Sequence, residues 1–327
     1  MTVCARATDA QTGPASSVIS LDAAGNAAGE LPRLHSLLVS WRGDLVLERY
    51  YNGARATQPA NIKSVSKSVI SALVGIAIER RLISGVTQPI ASFFPDLDSS
   101  KQQITIEDLL TMRSGLEPTS NVNYGGWVQS ANWVRYVLDR KLLSPPGTQM
   151  DYSTGNTHLL SAILTKVSGT STWQFAQDTL ARPMGFTLSR WPQDPQGIYF
   201  GGNDMLLTPR QLLSFGELYL NRGRANGRQI VPAEWVDLSF VARTQSRWSD
   251  QLYGYGWWVR ELAGYDTYFA WGYGGQYAFV VPDLDLVIVS TSSPAVSDLA
   301  RQHRRTFIDF VERFLVQPIA AGAQASR

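Results

Sequence analysis

The sequence predicts an α+β fold, in which an antiparallel sheet flanked by helices carries an inserted helical domain. Strand-like segments lie near both ends of the chain, and helix-like segments fill most of the region between them. We therefore expect residues 34–84 and 205–316 to form the sheet domain and residues 85–204 the helical domain. Residues 1–33 are predicted to be a flexible leader and residues 317–327 a disordered tail.

Strand patterns occur in two groups. Residues 37–41 and 45–51 flank Arg42-Gly43-Asp44, which predicts an antiparallel hairpin with a tight turn. The second group lies at residues 255–261, 267–270, 277–282 and 286–291. Asp283-Leu284-Asp285 predicts a turn that makes a hairpin of the last two.

Helical patterns lie mainly between the two groups of strands. They cover residues 106–112, 133–138, 158–167, 173–180, 210–221, 232–238 and 298–315. Thr208 and Pro209 mark one helix start, since threonine is a good cap and proline is favoured at the first helical position. Pro145-Pro146-Gly147 is the sharpest break. The helix at 298–315 is amphipathic, so it should close the fold against the sheet.

The composition excludes several functional classes. The chain has 327 residues, 44% hydrophobic and 17% charged, with a formal net charge of +2. This balance is typical of a globular protein and gives no reason to expect a nucleic-acid partner. No apolar stretch approaches the length of a membrane span. Cys4 is the single cysteine, which excludes an intrachain disulfide and a cysteine-based metal site, and we expect no metal or cofactor.

The sequence does not distinguish between compartments or between oligomeric states. Residues 1–30 lack a charged start followed by an apolar segment, so no export signal is visible and both the cytoplasm and the periplasm remain candidates. Nothing in the sequence indicates an oligomeric state.

The most informative motif is Ser64-Val65-Ser66-Lys67, which opens an almost uninterrupted apolar run at residues 68–78. In a helix, residues three apart lie on one face, so Ser64 and Lys67 would sit side by side at the helix start. A buried amine can activate a serine hydroxyl without histidine. The free N–H groups of a helix start also suit a developing oxyanion. This pattern indicates a serine hydrolase of the Ser-Lys type.

The alternative is a serine cap followed by a solvated lysine on an ordinary helix. Of the five lysines, only Lys67 has a serine three residues before it. The helix that follows is apolar on every face, which is typical of burial between layers. A lysine at the start of such a helix needs a specific partner or a lowered pKa.

A proton carrier is the second element that this chemistry needs. Pro146-Gly147-Thr148 leads to Tyr152 and Ser153 just before a predicted helix. A phenol near the Lys67 ammonium would have its pKa lowered toward a useful range. The alternative is a capping loop in which the tyrosine only packs.

An oxyanion hole is the third element. Gly272-Tyr273-Gly274-Gly275 precedes a strand, and consecutive glycines at a strand edge indicate a bulge or a close approach of the backbone to another group. A backbone N–H from this edge, together with that of Ser64, would complete the hole. A plain bulge is the alternative.

The histidines offer no competing site. His35, His158 and His303 are scattered, and no Gly-x-Ser-x-Gly sequence occurs, which disfavours a histidine triad. We expect His158 to lie on a helix and His303 among arginines on a solvated helix face.

With these elements in order, the chain resembles the beta-lactamase-related serine hydrolases over residues 34–315. This group includes class C beta-lactamases, DD-peptidases, family VIII esterases and aminohexanoate-dimer hydrolases. The resemblance rests on Ser64-Val65-Ser66-Lys67-Ser68, Ile104-Thr105-Ile106-Glu107-Asp108-Leu109-Leu110-Thr111-Met112-Arg113-Ser114-Gly115-Leu116, Pro146-Gly147-Thr148 leading to Tyr152-Ser153, Leu207-Thr208-Pro209-Arg210, and Gly272-Tyr273-Gly274-Gly275.

The resemblance implies a penicillin-binding-protein fold and assigns three catalytic residues. Ser64 would be the acylated nucleophile, Lys67 its activating partner, and Tyr152 the general base and acid. Whether Lys67 or Tyr152 takes the first proton stays open, since the two would titrate as a coupled pair.

Two departures from the family pattern bear on the substrate. Where lactamases and peptidases have Tyr-x-Asn, this chain has Thr154, with Asn156 two residues later. Where they have Lys-Thr-Gly, whose lysine attracts a substrate carboxylate, the matching triplet is Ala270-Trp271-Gly272. The missing cation removes an interaction on the order of 1–3 kcal/mol, which argues against a dedicated beta-lactamase or DD-peptidase. Thr154, Trp271, Gly272 and Tyr273 are predicted to bind substrate or the oxyanion.

The predicted substrate is an uncharged ester or amide with an apolar acyl part. Aromatic residues crowd the candidate cleft, unless they belong to the core: Tyr124, Trp127, Trp191, Tyr199, Trp271 and Tyr273. The leading hypothesis is a carboxylesterase or amidase that forms an acyl-enzyme on Ser64. The alternatives are a beta-lactamase or D-amino-acid peptidase with the same site, and a penicillin-recognising sensor that binds without turnover.

Overall fold

A hairpin opens the sheet. In the computed structural model, which describes residues 21–325, helix α1 (Asp22–Gly29) precedes strands β1 (Leu34–Trp41) and β2 (Asp44–Tyr50). The two strands pair antiparallel, with Val39 opposite Leu47. Arg42 and Gly43 both adopt positive φ, as a tight turn that matches the twist of a hairpin requires. The predicted hairpin is confirmed.

The apolar helix follows after a short connection. Strand β3 (Ala60–Asn61) leads into a 3₁₀ turn (Lys63–Val65) and then helix α2 (Ser66–Glu79). Every residue of α2 from 66 to 77 is buried, which confirms that this helix lies between layers. Gly75 allows α2 to pack closely against Trp235, because a Cβ at residue 75 would lie 2.4 Å from the Trp235 ring.

Short helices dominate the middle of the chain. They are α3 (Ile106–Leu110), α4 (Tyr124–Val128), α5 (Trp133–Leu138), α6 (Thr154–Ser168) and α7 (Thr172–Ala176), the last continuing as a π-helical turn (Gln177–Ala181). Shorter 3₁₀ turns lie between them at Ile90–Ser92, Ser99–Lys101 and Asn121–Asn123.

Helix α6 begins earlier than the sequence pattern predicts. The predicted start is residue 158, but the helix starts at Thr154. Side chains from another loop satisfy its first N–H groups, since the Ser120 hydroxyl accepts from Thr154 N and the Thr119 hydroxyl from Gly155 N. Such a cap comes from distant residues, so a local pattern cannot reveal it.

The second half of the chain returns to the sheet. Its elements are β4 (Leu206–Leu207), α8 (Pro209–Leu220), β5 (Arg224–Ala225), β6 (Arg228–Gln229), α9 (Ala233–Phe240), β7 (Thr244–Gln245), β8 (Leu252–Tyr253), β9 (Trp258–Leu262), β10 (Tyr265–Gly272), β11 (Gln276–Val281) and β12 (Leu286–Ser292). Thr208 caps α8 by accepting from Gln211 N, as its position before Pro209 predicts. A 3₁₀ turn (Pro282–Leu284) joins β11 to β12.

Eight strands form one antiparallel sheet in the order β2-β1-β12-β11-β10-β9-β8-β7. Helix α8 covers one face, where Gly216 packs directly against Val287. Helix α10 (Leu299–Val311) covers the other, and its Phe307 stacks on Tyr277 of β11. The α+β class with an antiparallel sheet is therefore confirmed. The division into a sheet domain and an inserted helical domain stays a prediction.

The ends of the described chain differ from the expectation. Helix α1 lies within the predicted flexible leader, and α10 continues through a π-helical turn (Glu312–Val316) into helix α11 (Gln317–Ala325), where a disordered tail was predicted. Both predictions are wrong for these residues, because the ends join one apolar core through Ala24, Ala28, Ile319 and Ala320. The rest of the leader, with Cys4, and residues 326–327 lie outside the described residues.

None of the helices between residues 21 and 325 combines the length and apolar character needed to cross a bilayer.

Candidate active site

Ser64 lies in the 3₁₀ turn that runs into α2, directly after Lys63, whose φ of 49° is positive. The Lys67 amine reaches back along the same face of the helix, and its Nζ atom lies 3.0 Å from Ser64 Oγ. The structure thus places the two side chains in contact, as their spacing predicts.

Lys67 is almost completely buried, since only 1% of its surface is exposed to solvent. Besides Ser64, Nζ donates to Gly202 O at 2.6 Å and to Thr154 Oγ1 at 3.3 Å. Burial lowers the pKa of Lys67 to about 7, and the negative charge of Asp204 opposes this shift. A neutral amine is therefore well populated near neutral pH.

Glycine at position 202 brings its carbonyl to the lysine. A Cβ on this residue would lie 2.2 Å from the Thr157 hydroxyl oxygen and 2.8 Å from a Thr154 methyl group. Only glycine allows this backbone to approach α6 so closely, and the approach places an acceptor against Lys67.

Tyr152 lies beneath the lysine. Lys67 Nζ is 5.0 Å from the centre of the Tyr152 ring, and the ring stacks on Trp258 at a centroid distance of 5.8 Å. Burial raises the pKa of the Tyr152 phenol, and a hydrogen bond with Ser64 opposes the rise. The predicted lowering of this pKa by Lys67 is therefore wrong. Removal of the phenol from water outweighs the effect of an amine that lies over the ring face.

The glycine-rich segment forms the turn between β10 and β11, with Gly272 opposite Gln276. A Cβ on Gly272 would lie 2.3 Å from Ile62 O and 3.0 Å from the Lys63 Cβ. The end of β10 therefore packs against the backbone that leads to Ser64. Of the two interpretations of this segment, a close backbone approach fits the structure and a plain bulge does not.

A cleft of about 680 Å³ contains most of these groups. Five of the seven predicted catalytic and binding residues line it: Ser64, Tyr152, Thr154, Trp271 and Tyr273. Lys67 lies at its base through the contact with Ser64, and Gly272 lies at the end of the strand that borders it.

Of Asn156 and Asn203, only Asn203 lines the cleft. Asn156 is fully buried, and its Oδ1 accepts from Ser114 Oγ, so it does not reach the cleft. Asn203 lines the cleft instead, and its Nδ2 donates to the Tyr124 hydroxyl at 3.2 Å. The signal for Asn203 was the Gly201-Gly202 pair before it, since consecutive glycines indicate close approach of the backbone.

The predicted aromatic residues divide into two groups. Tyr124, Trp271 and Tyr273 line the cleft. Trp127, Trp191 and Tyr199 belong to the buried core instead. Trp248 and Trp258 also line the cleft and were not predicted. Trp248 lies on a loop without a pattern, and Trp258 is the nearly buried first residue of strand β9.

None of the three histidines lines the cleft in the described part of the chain. His158 lies on α6 as predicted, with Nε2 3.0 Å from Asp194 Oδ2. The solvated position predicted for His303 is wrong. That side chain is buried against Gly275 and bonds Ser292 Oγ at 3.0 Å, and burial lowers its pKa to about 4. Within residues 21–325 no group of three or more His, Cys, Asp and Glu side chains could hold a metal ion.

Comparisons with known proteins identify the family and the fold of the chain. A family model described as Beta-lactamase matches residues 35–312. A 6-aminohexanoate-dimer hydrolase from Paenarthrobacter ureafaciens is 26% identical over 334 residues, which cover 89% of this chain and 82% of that protein.

Solved structures show the same fold. The octameric penicillin-binding protein homologue from Pyrococcus abyssi has a TM-score of 0.67 at 18% identity, with 88% of this chain and 76% of that chain covered. EstCE1, described as a hydrolase with promiscuous acyltransferase activity, has a TM-score of 0.71 at 18% identity, with 90% and 97% covered. The family match spans most of the chain. The protein therefore belongs to the beta-lactamase family of hydrolases and has the fold of beta-lactamases and penicillin-binding proteins.

Proposed function

We propose that this protein is a serine hydrolase that cleaves esters or amides through an acyl-enzyme on Ser64, and that it acts chiefly as a carboxylesterase. The observation that carries the proposal is the Lys67 amine, 3.0 Å from Ser64 Oγ with a pKa of about 7. A base with this pKa is matched to neutral pH.

In the first step, neutral Lys67 accepts the Ser64 proton as Oγ attacks the carbonyl carbon of the substrate. The ammonium that forms keeps its hydrogen bond to Gly202 O and is favoured by the charge of Asp204. The Lys67 side chain can therefore hold a proton transiently while its amine stays beside Ser64.

The negative charge that develops on the carbonyl oxygen needs hydrogen-bond donors. The backbone N–H groups of Ser64 and Tyr273 fill this role in our proposal, since the Gly272 contact holds the end of β10 against the segment before Ser64. Each donor is fixed by backbone structure, so little reorganisation is needed during the reaction.

Tyr152 supplies the proton that the leaving group needs. Because burial raises its pKa, the phenol stays protonated at neutral pH and can donate to the departing oxygen or nitrogen. The Lys67 ammonium then returns a proton to Tyr152, so the proton taken from Ser64 reaches the leaving group. Water attacks the acyl-enzyme through the same transfers in reverse order.

We include amides among the proposed substrates because of one relative. The relative at 26% identity is named a 6-aminohexanoate-dimer hydrolase, and two amino acids joined in a dimer are linked by an amide. The absence of a cation in the triplet Ala270-Trp271-Gly272 weighs against beta-lactams as the main substrates.

Hydrolysis of p-nitrophenyl butyrate, together with labelling by a fluorophosphonate, tests the proposal. We expect Ser64→Ala to abolish both turnover and labelling. Ser249→Ala, which changes another serine that lines the cleft, should leave both intact. Labelling at another residue, or full turnover by Ser64→Ala, would refute the proposal. Nitrocefin turnover comparable to ester turnover would favour a beta-lactamase instead.

A further inference from the structure

His158 and Asp194 form a buried polar pair that the proposed reaction does not use. Both side chains are completely enclosed, and His158 Nε2 lies 3.0 Å from Asp194 Oδ2. The rings of Trp127, Trp133 and Phe200 surround the imidazole at centroid distances between 5.4 and 5.9 Å. Polar groups lose their hydrogen bonds to water in such an apolar cage, so the bonds that they make inside it must be specific.

These hydrogen bonds fix the tautomer of His158. Its Nδ1 atom accepts from the backbone N–H of Gly201, with 3.4 Å between the two nitrogens. A backbone amide can only donate, so Nδ1 carries no proton and Nε2–H donates to Asp194. The other carboxylate oxygen, Oδ1, accepts from the backbone N–H groups of Gln196 and Ile198. Burial lowers the pKa of His158, although Asp194 opposes the shift, and the ring is therefore neutral at neutral pH.

Gly201 directly precedes the residue that contacts the catalytic amine. Gly202 O accepts from Lys67 Nζ at 2.6 Å. Gly201 itself packs tightly on α6, because a Cβ there would lie 2.2 Å from Thr157 O and 2.8 Å from the His158 Cα. Hydrogen bonds and two residues of backbone thus connect the buried imidazole to the amine of the proposed base.

We propose that His158 and Asp194 are positioning residues for the Lys67 amine. Asp194 selects the tautomer of His158. The imidazole in turn holds Gly201, which keeps the Gly202 carbonyl against the amine. The inference rests on the proposed role of Lys67 as the base and adds two residues that touch neither substrate nor reacting atoms. A shift of about 1 Å in a group that supports the reaction can lower a rate by about 10²-fold, so the contact can matter for turnover.

Two substitutions of His158 separate its two hydrogen bonds. In His158→Gln the side-chain amide can still donate to Asp194, but no acceptor faces the Gly201 N–H. In His158→Asn the amide oxygen takes the place of Nδ1 and can accept from Gly201, while Asp194 loses its donor. We expect His158→Gln to lower kcat/KM for p-nitrophenyl butyrate by about ten- to hundredfold and to keep most of the Tm. His158→Asn should show the reverse, with a lower Tm and more of the activity.

Asp194→Asn tests the tautomer directly. The new amide oxygen can still accept from Gln196 and Ile198, so its NH₂ group faces His158 Nε2. That nitrogen must then accept, which moves the imidazole proton to Nδ1 and sets it against the Gly201 N–H. Nitrogen-15 NMR of the three histidines should show His158 as the Nε2–H form in the wild type and the Nδ1–H form in Asp194→Asn. We expect kcat/KM to fall as in His158→Gln.

The titration of Lys67 is a readout that needs no turnover. NMR of lysine labelled with carbon-13 at Cε follows the five lysines, and Lys67→Met assigns the signal. A carbonyl acceptor stabilises the ammonium, so loss of the Gly202 contact should lower the pKa of Lys67 in Asp194→Asn and in His158→Gln. Leu164→Ala is the control, because it shortens a buried apolar side chain further along α6. It should lower the Tm and leave the lysine titration unchanged.

A wild-type His158 with its proton on Nδ1 would overturn the inference without any variant. So would a Lys67 pKa that is unchanged or higher in both Asp194→Asn and His158→Gln, or an activity that simply follows the Tm through all variants. If Ser64 is not labelled and the wild type hydrolyses no ester, the proposed function has failed. The tautomer and the lysine titration then still decide whether the buried pair positions the amine.

Discussion

Lys67 Nζ lies above the face of the Tyr152 ring, 5.0 Å from its centre, and directs its hydrogen bonds to Ser64, Thr154 and Gly202. Burial acts on the two groups in opposite directions, because it lowers the pKa of Lys67 to about 7 and raises that of Tyr152. A neutral amine and a protonated phenol therefore coexist at neutral pH. Two titratable groups with pKa values moved apart suit a base and an acid in one site.

The pH dependence of turnover should follow the protonation of Lys67. Because the pKa of Lys67 is about 7 and its neutral form is the base, kcat/KM should fall as the pH drops below 7. Asp204 raises this pKa, so Asp204→Asn should move the acidic limb to lower pH. A pH–rate profile with p-nitrophenyl butyrate measures both effects. An acidic limb that moves upward in Asp204→Asn would contradict this assignment.

Replacement of Lys67 should separate activity from stability. The unfolded chain has the ordinary lysine pKa of 10.5 and the folded chain one of about 7, so between these values the unfolded state binds more protons. Burial of this amine therefore costs stability below pH 10.5, and the cost is largest below 7. Lys67→Met should abolish turnover yet stabilise the fold at pH 6 by roughly 1–4 kcal/mol.

Urea denaturation at several pH values measures this gain, which should shrink as the pH rises toward 10. Lys141→Met, a change at an exposed lysine, should show no comparable trend. A Lys67→Met protein that is less stable than the wild type at pH 6 would show that the hydrogen bonds of the amine outweigh its desolvation.

Tyr152→Phe should remove the proton donor and keep the packing. The ring would still stack on Trp258, so little change in stability is expected. The turnover number should fall by about 10²–10⁴, the usual contribution of a general acid. Steady-state kinetics measures this, with Tyr265→Phe as a control on β10 away from the cleft. Unchanged turnover in Tyr152→Phe would assign the proton donor elsewhere.

Gly272→Ala should distort the site through its backbone. The added Cβ would lie 2.3 Å from Ile62 O, so β10 or the segment before Ser64 must shift. We expect a loss of activity together with a lower Tm. Gly125→Ala on α4 is a matched control, because a Cβ there meets nothing within 4 Å. Normal activity in Gly272→Ala would show that the contact does not set the oxyanion geometry.

Local signals in the sequence predicted the elements that local interactions build. The Arg42-Gly43 turn and the Thr208 cap depend only on neighbouring residues, and both are present. The Ser64 and Lys67 contact follows from helical spacing alone. Helices α1 and α11 escaped prediction because alanine-rich segments carry little periodic signal, and what orders them is burial against distant residues.

The environment of the site could not be predicted from the sequence in the same way. The direction of the Tyr152 pKa shift depends on the rings of Trp258 and Tyr253, which are remote in sequence. The sequence predicted a solvated helix face for the arginines around His303, whereas Arg304 lies over the Trp271 ring and lines the cleft. Asn203 reaches the cleft from a loop whose shape depends on α6.

The neighbouring positions of β1 and β12, with Leu38 opposite Val289, have a consequence for biosynthesis. The hairpin and the apolar α2 leave the ribosome early, whereas the strand that completes their sheet is made near the end of translation. Long-range pairing of this kind slows folding and leaves apolar surface and unpaired strand edges exposed until the sheet is complete. Nascent chains should therefore depend on chaperones, and truncation before β12 should yield aggregates instead of a smaller folded protein.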